Sequence, residues 1–129
     1  DLSDGNQLID FRYDDITLLG FNRALGKDGS RRYLLNASTG DIIASLPPNI
    51  GAAHFNETPV TWIFRSKSYY GIIDEEGNIL YEDTKDPLTG VTKFRHGFSG
   101  GQKDNKKWGI LKSDGTWLVH PTYDYIKLL

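Results

Sequence analysis

The residues able to do chemistry are few and scattered. His54, His96 and His120 are the only histidines, and Asp14, Glu82, Asp83 and Asp124 are the carboxylates that stand out. Metal ligation needs such groups clustered around one ion, and acid/base work needs a chosen pair brought together. Nothing in their spacing does either. Asp74, Glu75 and Glu76 are acidic neighbours, but they lack the alternating oxygen ligands of a calcium loop and read as a turn. "HGFSGG" at 96–101 is glycine-rich, yet no phosphate-binding loop before a helix, nucleophile elbow or dinucleotide fingerprint occurs. We therefore assign no catalytic residue, no metal site and no cofactor; a hydrolase with unrecognised carboxylates is the second alternative.

Rings and cations are the better candidates for binding. Trp62, Trp117, Tyr69 and Tyr125 are of the types that form platforms for sugars or anchors for a protein partner, with a core role as the competing reading. Residues 91–112 carry Lys93, Arg95, Lys103, Lys106, Lys107 and Lys112 against Asp104, a local excess of +5. Of these, Lys106 and Lys107 stand beside an aromatic. The net charge is only -2, and no ladder of rings for stacking bases accompanies the lysines, so nucleic acid is not expected as a partner.

These side chains must be positioned by a chain of 129 residues, a length suited to one domain. Glycine at 14 positions and 12% aromatic residues lean towards β structure. The absence of cysteine excludes disulfides, thiolate metal sites and cysteine nucleophiles. No apolar run approaches the ~20 residues of a membrane-spanning helix, and membrane insertion is not expected. The chain opens on Asp1 and holds no methionine, so its natural start is expected to lie outside it.

Internal repetition is the strongest signal. "YYGIIDEEGNILY" (69–81) matches "KWGILKSDGTWLV" (107–119), with Gly71 and Gly109 after an aromatic and Gly77 and Gly115 in the turns. "RYLLNASTGDII" (32–43) keeps Tyr33 and Gly40 but has Leu34 in place of the first glycine. Gly5, Gly40, Gly77 and Gly115 are thus 35, 37 and 38 residues apart, a period that points to a repeat architecture. "DGNQLIDFRYDDI" (4–16) also aligns on "DGTWLVHPTYDYI" (114–126), identical at six of thirteen positions. The units are 4–40, 41–77, 78–115 and a partial 116–129.

Each unit reads as a hairpin. "YGII" and "WGIL" are strand material, and "DEEG" and "KSDG" fit turns whose last residue takes positive φ, which favours glycine. The glycine after the aromatic leaves a gap that a neighbouring ring can cover. Proline then ends the second strand. "VTWIFRS" (60–66) is apolar on both sides and reads as a central strand. "TLLGFNRAL" (17–25) is the one helical candidate, interrupted by Gly20.

These motifs resemble the WG-repeat family of bacterial tandem repeats: aromatic-Gly, two aliphatic residues, a turn ending in Gly, an apolar strand, Pro, Tyr-Asp and a later Phe-x-x-Gly. "KKWGILKSDGTWLVHPTYDYI" (106–126) carries the resemblance best, and "FRHG" supplies the later element through Phe94 and Gly97. The resemblance implies β-rich binding or interaction modules without a shared catalytic centre, and its motif positions are structural.

The expected fold is all-β, with tandem hairpin repeats of about 37 residues forming a curved or closed antiparallel sheet, as a barrel or small propeller-like ring. The partial first copy fits either a cut from a longer array or closure through the ends. The expected function is a non-catalytic module recognising a protein partner; the alternative is carbohydrate or cell-wall binding through exposed rings. Trp117 is the ring best placed for contact, because its repeat equivalents are Gln7, Ile42 and Ile79.

Overall fold

The computed structural model describes residues 13–55, 58–65, 69–82, 88–103 and 106–127, and all the regular structure in them is β. The first sheet contains β1 (Asp15–Gly20), β2 (Arg23–Asp28), β3 (Arg31–Asn36) and β4 (Ile42–Leu46). The second contains β5 (Gly51–Ala52), β6 (Val60–Arg65), β7 (Tyr69–Asp74) and β8 (Ile79–Glu82). The third contains β9 (Gly90–Val91), β10 (Phe98–Gln102), β11 (Trp108–Lys112) and β12 (Trp117–Tyr123). Each is an antiparallel meander in chain order, the kind of unit that repeats radially in propellers.

The all-β repeat reading holds, with one enlargement. The repeated unit is a four-stranded sheet, and the hairpin legible in the sequence is its last two strands. The three sheets are separate and none closes on itself. Cuts at Gly40, Gly77 and Gly115 fall between the third and fourth strands of each sheet, and Gly5 lies outside the described residues.

The turns form for the anticipated reason. Gly40, Gly77 and Gly115 have φ of 80°, 81° and 85°, where a Cβ is unfavourable. Asp74 Oδ1 accepts from the N–H groups of Glu76 and Asn78, and Asp114 Oδ1 accepts from Thr116 N–H. "TLLGFNRAL" is strand, turn and strand: Gly20, Phe21 and Asn22 all have positive φ, and Leu18 pairs with Ala24.

One turn differs in length. The bond closing it runs from Asn36 N–H to Asp41 O in the first sheet, but from Asp74 to Asn78 and from Lys112 to Thr116 in the others. The extra residue shifts the register of β3. Arg32 faces Lys27 across the strands, as Tyr70 faces Phe64 and Trp108 faces Gln102. Arg32, rather than the Tyr33 that the sequence match suggests, therefore holds the aromatic position of the repeat.

The sheets stack in chain order. Leu25 and Leu34 join Ile63 and Ile73 in one buried cluster between the first and second sheets. Trp62 and Ile72 join Leu88, Phe94 and Leu111 in another between the second and third. Alternation along β6 and β7 sends Ile63 and Ile73 one way and Trp62 and Ile72 the other. The second sheet is thus covered on both faces, and β6 lies inside it, as its two-sided apolar pattern implied. Complete burial of an aliphatic side chain contributes about 1.5–3 kcal/mol, so Ile63, Ile72 and Ile73, all at 0% exposure, anchor the stack.

Two sequence-based reasons need correction. A Cβ on Gly109 would meet the Val119 carbonyl oxygen and lie 2.8 Å from the His120 carbonyl carbon and the Pro121 nitrogen. That glycine admits the bulged backbone of β12, rather than a covering ring. Pro121 lies inside β12 instead of ending it, which is tolerated because β12 is an edge strand. Pro47 does follow the end of β4 directly, and Pro87 lies outside the described residues.

Candidate functional site

The site lies where the second and third sheets separate beyond their shared core. Strands β6 and β7 bring Phe64 and Tyr70 side by side, and the Phe64 ring lies across Gly51, whose added Cβ would be 3.0 Å from the ring's Cζ. The absence of a side chain at Gly51 seats that ring, as in aromatic rescue of a strand glycine. Trp62, Phe64 and Tyr70 on one side, with Val91, Thr92 and Lys93 on the other, bound an open groove of about 300 Å³.

Trp62 forms its floor. At 2% exposure the indole stacks on Phe94 with centroids 5.4 Å apart, and meets Tyr70 edge-on at 5.9 Å. Its Nε1–H donates to Thr92 O at 3.0 Å and to Ser99 Oγ at 2.9 Å. These bonds satisfy the polar end of a buried ring and fix residue 92 at the opposite wall. Phe64, 40% exposed, is the accessible ring, with the half-buried Tyr70 beside it.

The first inter-sheet junction has Arg32 where the second has Tyr70. Arg32 Nε donates to Ile50 O at 2.9 Å, and Nη1 donates to Gly29 O at 2.8 Å. The guanidinium thereby ties the segment linking the first two sheets to the first sheet. Tyr70 has no such fork of donors, and the corresponding position opens onto the groove.

The other anticipated contact residues are dispersed. Trp117 is half-buried and packs against the core between the second and third sheets, above Gly101, with Lys103 Nζ 6.0 Å from its ring. Tyr125 is 75% exposed beyond β12. Tyr69 begins β7, and its side chain lies outside the described residues. Lys106 is exposed, with φ of 64°. Lys107 is half-buried and pairs with Asp124 Oδ1. That contact, first through the hydrogen bond and then through the charge, holds the Asp124 carboxyl below its ordinary value. Asp114 is lowered too, chiefly by its bond from the Thr116 hydroxyl. Asp14, the repeat counterpart of Asp124, accepts from Gly29 N–H at 2.7 Å and supports a turn.

Residues 108–128 match the WG containing repeat family. This is the segment in which β12 bulges against Gly109. The chain carries a WG repeat. A comparison with curated proteins finds no match. Among solved structures, the crystal structure of BamB from Moraxella catarrhalis is similar, with a TM-score of 0.43 and 16% sequence identity. That similarity covers 78% of this chain and 29% of the BamB chain, so the chain spans less than a third of that relative's length.

Within the WG repeat, the named pair is structural: Trp108 is half-buried and Gly109 makes room for a strand. Phe64, Tyr70 and Lys93 were not singled out as a site from the sequence. The available signal was the exchange of Arg32 for Tyr70, hidden by the one-residue difference in turn length.

Proposed function

We propose that this protein is a non-catalytic binding module that recognises a protein partner through the groove between its second and third sheets. The observation that carries the reading is the opening at Tyr70, where Arg32 ties down the preceding junction. Phe64 and Tyr70 are walls suited to receiving an apolar side chain, and Trp62 beneath them is held by packing and two hydrogen bonds. A preformed aromatic groove loses little conformational freedom on binding, which favours affinity from a small contact area.

The test is affinity capture from the source cells with the unaltered chain and with Phe64→Ala in parallel. A stoichiometric protein retained by the first and lost from the second supports the reading. Failure of the unaltered chain to retain any stoichiometric protein contradicts it.

A further inference from the structure

A second depression, of about 290 Å³, is lined by Thr92, Lys93, Arg95, Ile126 and Lys127. It shares Thr92 and Lys93 with the aromatic groove, so the two adjoin along one stretch of chain. Lys93, Arg95 and Lys127 are exposed and make no ion pair among the described residues, in contrast to Lys27 with Asp15 and Lys107 with Asp124. We infer that the groove and this basic strip form one site for an acidic peptide segment carrying a bulky apolar side chain. The inference rests on the protein-binding reading above and specifies the partner's chemistry.

The strip is held by its buried neighbours. Phe94 is 3% exposed and stacks on Trp62, while Lys93 and Arg95 on either side of it are exposed. Arg95 and Phe98 exchange backbone hydrogen bonds of 2.8 and 3.0 Å around a two-residue turn. His96 and Gly97 in that turn have φ of 55° and 84°, the pattern of a tight type I′ connection. Lys93 and Arg95 therefore project from a backbone held at Thr92 on one side and at Arg95 and Phe98 on the other.

An extended ligand repeats its side-chain direction every second residue, or about 6.6 Å. Carboxylates at alternate positions thus suit cations at 93 and 95, while an apolar residue enters between Phe64 and Tyr70. Exposed ion pairs add little affinity individually. Burial of the apolar residue supplies most of the binding, and the cations supply selectivity and a salt-dependent association rate.

The experiment is selection of a display library of short random peptides on the unaltered 129-residue chain, followed by titration of the enriched peptides. The expected result is enrichment of Asp or Glu beside Trp, Phe or Leu. Binding of those peptides should weaken by at least about five-fold in the double variant Lys93→Gln, Arg95→Gln, by a similar factor in Phe64→Ala, and in high salt. Both cations are exposed, and unchanged melting of the double variant establishes that it remains folded.

Enrichment of neutral or basic peptides, no enrichment, or binding indifferent to those substitutions overturns the inference. So does an oligothymidine probe that competes with the enriched peptides and binds more tightly than they do. The capture experiment with Phe64→Ala decides the broader reading separately, because a neutral protein partner would satisfy it while failing here.

Discussion

The turn glycine Gly77 of the second sheet lies directly on the side chain of Ala44 in the first. One repeat later, Gly115 lies on the ring of Tyr81 in the same way. The turn of each later sheet is thus seated on the fourth strand of the sheet before it, and the positive φ needed for the turn coincides with the close approach needed for stacking.

Gly77→Ala should therefore cost about 1–3 kcal/mol through overpacking, with a further 1–2 kcal/mol or so from a Cβ at positive φ. Adding Ala44→Gly should recover the packing part and leave the backbone part. A double-mutant cycle in urea denaturation measures the coupling. Strict additivity of the two substitutions would contradict direct seating of the turn.

Gly109→Ala should be more damaging than Gly29→Ala. At 109 the new methyl meets the backbone of β12, which cannot swing aside as a side chain can, whereas at 29 nothing lies within 4 Å and only the φ of 60° opposes it. Overpacking against fixed atoms costs about 1–3 kcal/mol or more. Thermal melting of the two variants should place Gly109→Ala several degrees lower.

The difference between these glycines marks where sequence reasoning stops. Turn glycines are legible because a local φ requirement fixes residue type within a few positions. The reason for Gly109 lies ten or more residues away in a bulge, and a short motif carries no sign of it. Strand β10 was hidden in the same way: Gly100 and Gly101 look like loop residues, but added Cβ atoms there would press on Thr92 and Ile126 or on Leu111 and Trp117. Of the site, Trp62 was legible as an aromatic in a central strand. Phe64, Tyr70 and Lys93 required the stacking of two sheets before their nearness had meaning.

Trp62→Phe should preserve most of the ring packing while removing the donor shared by Thr92 O and Ser99 Oγ. Thr92 O still accepts from the Ser99 hydroxyl at 2.8 Å, so the cost is that of one net hydrogen bond, about 0.5–1.5 kcal/mol. Circular dichroism melts should show the loss, and the hydrogen exchange of residues around Thr92 should quicken more than that of β2 or β3.

The Asp124 contact gives a local pH dependence. Its carboxyl titrates below the ordinary value of 3.8 because Lys107 hydrogen-bonds and pairs with it. A value depressed in the folded state means that the contact stabilises the fold above the unfolded value and is lost as pH falls through the folded one. Acidification should loosen the segment after β12, seen as the amide chemical shifts of Tyr125 and Ile126 moving towards random-coil values as Asp124 is protonated. Asp124→Asn should place those shifts near the random-coil values already at neutral pH and leave little further change on acidification.

The most direct measurement of groove recognition is calorimetric titration of the captured partner against the unaltered chain and Tyr70→Arg, which places at the second junction the residue type that ties down the first. Binding through the groove predicts loss of at least about ten-fold in affinity, or roughly 1.4 kcal/mol, in a variant that still melts cooperatively. Undiminished affinity in that folded variant would contradict it.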